Sequence, residues 1–250
     1  MPVETATLRL ARLHLESRRL VELGRRRRLP FRDMDTGYLV HCALGELFGD
    51  AAPKPFSITR EQGRAIEVLA YTDREKEALR READAFADPW LHALCDWDAF
   101  DVKALPADWP AGTRLGFKVR VCPVVRMPRG CTTHRPGAEV DAFLARCAAA
   151  GKGVKVDRQE VYREWFAAQV ERSSGARLLR AGVESFRLGR FSRRTQGEER
   201  QMRIKQRPEA TIAGELEVTD GAAFDALLRR GIGRHRAFGF GMLLLRRPAR

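Results

Sequence analysis

Hydrophobic residues alternate with polar ones along several stretches of the chain, and each such alternation predicts a β-strand. Residues 5–15 carry Leu8 and Leu10 on one side and Arg9 on the other. Ile66, Val68 and Ala70 repeat the pattern, as do residues 211–218, and further strands are expected over 183–191 and around Met202 to Lys205. The clearest case is Leu115, Phe117, Val119 and Val121, which alternate with Arg114, Gly116, Lys118 and Arg120. That strand has one apolar face and one mostly basic face. It can be an ordinary soluble strand or a surface that meets a phosphate backbone.

Elsewhere the apolar period lengthens to three or four residues. Val40, Leu44, Leu47 and Phe48 predict a helix that Asp35 or Thr36 can cap and Gly49 stops. Val161, Trp165 and Ala168 predict a second, begun by Asp157 and ended at Ser173-Ser174-Gly175. Asp220 begins a third that runs to Arg230. The order of elements is close to βαββαβ, perceptible twice in degenerate form, which is the ferredoxin-like plan of an α+β protein. Boundaries fall at 1–125 for an N-terminal domain, 126–176 for a connecting loop and helix, and 177–250 for a C-terminal portion. Residues 73–101 stand apart as a partly helical insertion in the first domain. They hold nine acidic and four basic residues with Trp90, Trp97 and Phe100, which fits an ordinary acidic surface insertion first, or a piece that faces away from nucleic acid or meets a protein partner.

Charge then narrows the partner. The 250 residues include 46 Lys+Arg against 33 Asp+Glu, a net charge of +13, which favours a polyanion. Residues 177–250 alone hold 17 Lys+Arg and 8 Asp+Glu. The candidate RNA contacts are Arg25, Arg26, Arg27 and Arg28 in an expected loop, Lys118 and Arg120 on the basic strand, and Arg126 beyond it. Arg193, Arg194, Arg203 and Lys205 join them from the second half. The Arg25–Arg28 run reads equally as a solvated face. Five cysteines at irregular spacing, with no Cys-x-x-Cys, encode neither a disulfide framework nor a zinc ribbon. Cys131 and His134 have no second pair with which to hold a metal, so no metal or other cofactor is expected. Basic residues interrupt the N-terminal leucines, so no signal peptide is read there. No apolar run approaches the ~20 residues of a membrane span. The cytoplasm is the expected compartment.

Two constellations carry chemistry. Four glycines (Gly231, Gly233, Gly239 and Gly241) enclose Arg234, His235, Arg236, Phe238 and Phe240 directly before the apolar run Met242 to Leu245. Glycines allow close backbone approach, arginines bind phosphate, and aromatic faces stack on unpaired bases. A helix-to-strand turn with core phenylalanines is the competing reading. The segment is no Walker loop, which needs Gly-Lys-Ser/Thr, and no dinucleotide fingerprint, because a helix precedes it and a strand follows. The second constellation is Tyr38 with His41, three residues apart on the first predicted helix and off its Val40–Leu44–Leu47 stripe. Histidine titrates near neutrality and suits proton transfer from a ribose 2′-hydroxyl, but a structural histidine fits the spacing as well. His14 and His235 are alternatives for the same task.

Together, the Tyr38-x-x-His41 helix, the basic strand ending before Pro123, and the terminal Gly-rich segment Gly231 to Leu243 resemble the CasE type of CRISPR repeat endoribonucleases, members of the repeat-associated RNA-binding superfamily. The resemblance implies two tandem ferredoxin-like (RRM-like) domains and metal-independent cutting at the base of a repeat hairpin. The products would carry a 2′,3′-cyclic or 3′-phosphate and a 5′-hydroxyl. It further implies retention on the mature guide RNA among other effector-complex subunits, with His41 as base or acid and Tyr38 assisting. The Gly231–Gly241 segment would hold the domains and the RNA together.

Overall fold

The computed structural model describes residues 6–29, 35–131, 135–151, 153–194 and 202–248. His134 lies outside them, as do the side chains of Arg193, Arg194, Arg203 and Lys205.

The first unit runs β1 (Arg9–Glu16), α1 (Ser17–Arg26), α2 (Thr36–Phe48), β2 (Phe56–Gln62), β3 (Ala65–Thr72), α3 (Lys76–Phe86), α4 (Pro89–His92) and β4 (Asp101–Ala104). Its antiparallel sheet has the order β2-β3-β1-β4, with Leu13 opposite Val68 and Ala11 opposite Ala70. The second unit runs β5 (Arg114–Val121), β6 (Val124–Arg126), β7 (Glu139–Asp141), α5 (Ala142–Ala150), α6 (Arg158–Glu171), β8 (Ala176–Arg194), β9 (Met202–Val218), α7 (Gly221–Arg230) and β10 (Leu244–Arg246). Its sheet has the equivalent order β10-β5-β9-β8, and β6 pairs with β7 as a separate ribbon. Both sheets therefore follow the ferredoxin-like βαββαβ order.

Each sheet buries one face under helices. Leu13 and Leu15 of β1 pack with Leu20, Val40, Leu44, Leu47, Phe48 and Leu79 in the first core. Phe117, Val119 and Val121 of β5 pack with Tyr162, Phe166, Phe224 and Leu228 in the second. Leu8 and Tyr71, from the first unit, belong to this second core, and the Tyr71 hydroxyl donates to the Leu243 carbonyl at 2.6 Å. The two units thus share apolar contact where β3 meets the approach to β10.

Three expectations need correction. The Arg25–Arg28 stretch is not all loop, because Arg25 and Arg26 form the last turn of α1. That helix is mostly polar, yet Leu20 and Leu23 are spaced to bury one edge, and Glu22 reaches Arg25 and Arg26 along its surface. The expected strand at Leu115–Val121 hydrogen-bonds to β9 throughout, so β5 opens the second sheet instead of closing the first domain. Residues 73–101 supply α3 and α4, whose Leu79, Ala83 and Leu91 are core residues. The segment is the β3-to-β4 crossover that the fold requires, with its charges on the outside.

Candidate active site

Asp35 caps α2, its carboxylate accepting from the Gly37 N–H at 3.0 Å. The helix is buried on nearly every side: Leu39, Val40, Ala43, Leu44 and Leu47 are all under 5% exposed. His41 is its exposed exception near the N-terminal end. The expectation that Tyr38 and His41 stand off the core holds for His41 alone, since Tyr38 belongs to the first core.

What brings this helix its chemistry is the Gly-rich segment. Its neck is closed by the Ile232 N–H, which donates to the Gly241 carbonyl at 2.8 Å, while the Gly241 N–H donates to the Arg120 carbonyl at 2.7 Å. Gly241 has φ +78°, and a Cβ there would overlap the Ile232 carbonyl, so the neck closes only around glycine. Between the necks, Arg236–Phe238 form a short 3-10 turn that lies on α2. The Phe238 ring stands 5.9 Å from Tyr38 and edge-on to His41 at 5.4 Å, with the Tyr38 and His41 rings 6.4 Å apart. On its other side Phe238 lies 6.4 Å from the His235 ring. The two constellations read separately from the sequence form one cluster.

Charge around His41 is positive. Partial burial beside Phe238 lowers its pKa from the ordinary histidine value, and the Arg27 and Lys54 charges lower it further. Arg27 is the member of the basic run that turns inward, donating to Glu46 at 2.6 Å and to the Cys42 sulfur at 3.4 Å. Arg26 stacks over Trp90 at 3.6 Å, Arg25 reaches Glu22, and Arg28 follows the helix with φ +55°. These three are not brought to His41 as Arg27 is.

The other candidate cations occupy varied positions. Arg120 makes two 2.8 Å hydrogen bonds to Glu209 and lies 4.2 Å over the Phe240 ring, so it braces the neck of the Gly-rich segment. Lys118 pairs with Glu184 at 2.8 Å, and Arg114 and Arg177 both reach Glu217. The face read as basic carries an ion pair for each of Arg114, Lys118 and Arg120, because β8 and β9 bring glutamates within reach of them. Arg126 is exposed on β6. Arg234 and His235 both bond Glu139, which also accepts from Arg207 at 2.6 Å. These donors hold the Glu139 carboxylate down at about 2. Arg236 donates to the Arg230 carbonyl at 2.6 Å. Phe240 is fully buried and structural.

Glu139 and Lys54 escaped sequence reasoning. Glu139 sits in a short strand with no periodicity to mark it, and Lys54 lies between two prolines in a connection. Only the fold places them beside His235 and His41.

A family model for CRISPR associated proteins matches residues 10–247. The chain belongs to the CRISPR-associated protein family. Among solved structures, the CRISPR endoribonuclease Cse3 bound to 19 nt RNA superposes with a TM-score of 0.62 at 20% identity, covering 95% of this chain and 99% of that one. Cas6e from Escherichia coli K-12 gives 0.56 at 17% identity, covering 96% and 100%. A chain of a CRISPR RNA-guided surveillance complex gives 0.55 at 16%, covering 95% and 98%. No curated protein matches the chain. The resemblance carried by the helix and Gly-rich motifs is borne out, and the tandem ferredoxin-like fold is shared along almost the whole family chain. Among the described residues no helix is long and apolar enough to cross a membrane.

Proposed function

We infer that this family member is a cytoplasmic, metal-independent endoribonuclease that binds the hairpin of CRISPR repeat RNA and cuts the precursor into guide RNAs. The observation that carries this reading is the packing of Phe238 against His41 and Tyr38, which joins an RNA-suited loop to a histidine suited to proton transfer. Burial and the neighbouring Arg27 and Lys54 charges lower the His41 pKa, which favours its neutral, proton-accepting form and suits the role of base. His41 takes the proton of the ribose 2′-hydroxyl, the O2′–P bond forms and the P–O5′ bond breaks; the leaving O5′ takes a proton from water, and the His41 imidazolium returns its proton to solvent. The products carry a 2′,3′-cyclic phosphate and a 5′-hydroxyl. Arg27 and Lys54 supply positive charge where the phosphorane gains negative charge, and Tyr38 assists beside His41. After cutting, the protein stays on the guide RNA with other effector subunits, as the fold shared with a chain of a surveillance complex supports.

The test is cleavage of the cognate repeat in EDTA. Wild type should cut, His41→Ala should lose on the order of 10²–10⁴-fold in rate while binding persists, and a 2′-deoxy substitution before the cut should abolish cleavage. Equal cutting of the deoxy repeat would refute the mechanism. Tight binding with no turnover would make the chain a non-catalytic RNA-binding subunit.

A further inference from the structure

A recess of about 680 Å³ opens beside the Gly-rich segment, lined by Lys54, Arg230, Arg234, Arg236, His235 and Phe238, with the Glu139 carboxylate also on its wall. It begins at the active site. Phe238 touches the His41 ring, and Lys54 is near enough to lower the His41 pKa.

Its charge differs from that of the second sheet. On β5 the cations Arg114, Lys118 and Arg120 each face a glutamate. In the recess Arg234 is taken by Glu139, but Lys54, Arg230 and Arg236 have no carboxylate partner among the described residues. Arg230 is exposed at the end of α7. His235 and Phe238 add two aromatic rings along one wall.

We propose that this recess binds the unpaired RNA strand that continues beyond the cut, on the side away from the hairpin. The proposal rests on the endoribonuclease reading above and names a subsite for it. An A-form stem presents its phosphates on a convex surface and cannot be lowered into a hollow of this size. A splayed single strand can, with phosphates on the three cations and a base against the aromatic wall. Position gives the same answer. A scissile phosphate at His41 leaves one flank of the RNA at the mouth of the recess. The strand held there would stay in register with the base during cutting and be released once the P–O5′ bond breaks.

The experiment uses the full chain and repeat RNA made uncleavable by a 2′-deoxy residue at the cut. One RNA ends at the cut and the other continues for several unpaired nucleotides. Wild type should bind the longer RNA more tightly, and Arg230→Gln should lose roughly three- to tenfold on the longer RNA only. The salt slope of log K for the longer RNA should fall by about 0.7 for the lost phosphate contact. Arg236→Gln should act in the same direction. Equal affinity of wild type for both RNAs, or equal weakening of both by Arg230→Gln, would overturn the subsite while leaving the cleavage reading intact. Failure of wild type to bind either RNA, or to cut the same repeat made with ribose at the cut, would remove that reading and the subsite with it.

Discussion

The carbonyl oxygen of Phe238 occupies the space that a Cβ at Gly37 would need. This is where the C-terminal Gly-rich segment touches the first turn of α2, one residue before Tyr38. Because the contact is made by backbone on backbone, a flexible side chain cannot yield to relieve a clash.

Gly37→Ala should therefore run against ordinary helix behaviour. Alanine in place of glycine in a helix normally stabilises by up to about 1 kcal/mol. Here the added methyl must push the Phe238 turn outward, which costs about 1–3 kcal/mol as overpacking does. Thermal unfolding should show a lowered Tm, and repeat cleavage should fall more than repeat binding. An unchanged or raised Tm with full cleavage would mean that the turn is free to move and does not assemble the site.

The acidic limb of the rate profile should respond to Lys54. Partial burial, Arg27 and Lys54 all hold the His41 pKa below its ordinary value, so the ring stays neutral to lower pH. Lys54→Met removes one of the two charges, which lets the pKa rise and moves the acidic limb of the rate to higher pH. Burial and Arg27 remain, so the limb should stay below that of free histidine. Added salt should move wild type toward the variant by screening the same charge. A limb that ignores both changes would separate His41 from the rate-determining proton transfer.

Glu139 should make stability depend on pH. Its pKa falls from 4.5 to about 2 in the folded protein, because His235, Arg207 and Arg234 hold the charged form. A carboxylate with a lowered folded pKa stabilises fully above its unfolded value, and that contribution is lost as pH falls through the folded value. Glu139→Gln should cost about 1–3 kcal/mol at neutral pH, since bonds to a charged acceptor are lost. The gap to wild type should close between pH 4.5 and about 2, as followed by urea unfolding at each pH. A gap that persists unchanged in acid would assign the cost to packing alone.

Local patterning was enough for the strongly periodic elements. Asp35, Asp157 and Asp220 cap the helices where their spacing predicts, and Leu115–Val121 forms the strand its alternation demands. The elements missed were those with little apolar signal. β2 is an edge strand with a register irregularity between Ile58 and Arg60, and α1 buries little beyond Leu20 and Leu23. The candidate site was half legible: Tyr38, His41 and the Gly-rich segment all stood out by residue type, but not as neighbours. The cations of β5 misled because the glutamates that satisfy them lie on strands far along the chain.

By itself, the sequence determined the strongly periodic strands and helices and their order, the net positive charge and the two motifs that carry the family resemblance. Those depend on short-range periodicity, capping and composition, which are properties of consecutive residues. Tertiary structure decided which charges were spent and which were left over. It paired Lys118 and Arg120 with Glu184 and Glu209, gathered Arg207, Arg234 and His235 on Glu139, and left Lys54, Arg230 and Arg236 without acidic partners among the described residues around one recess. It also laid Phe238 against Tyr38 and His41. Electrostatic pairing and ring packing act over a few ångströms of space, whatever the distance along the chain, so only the folded arrangement could settle them.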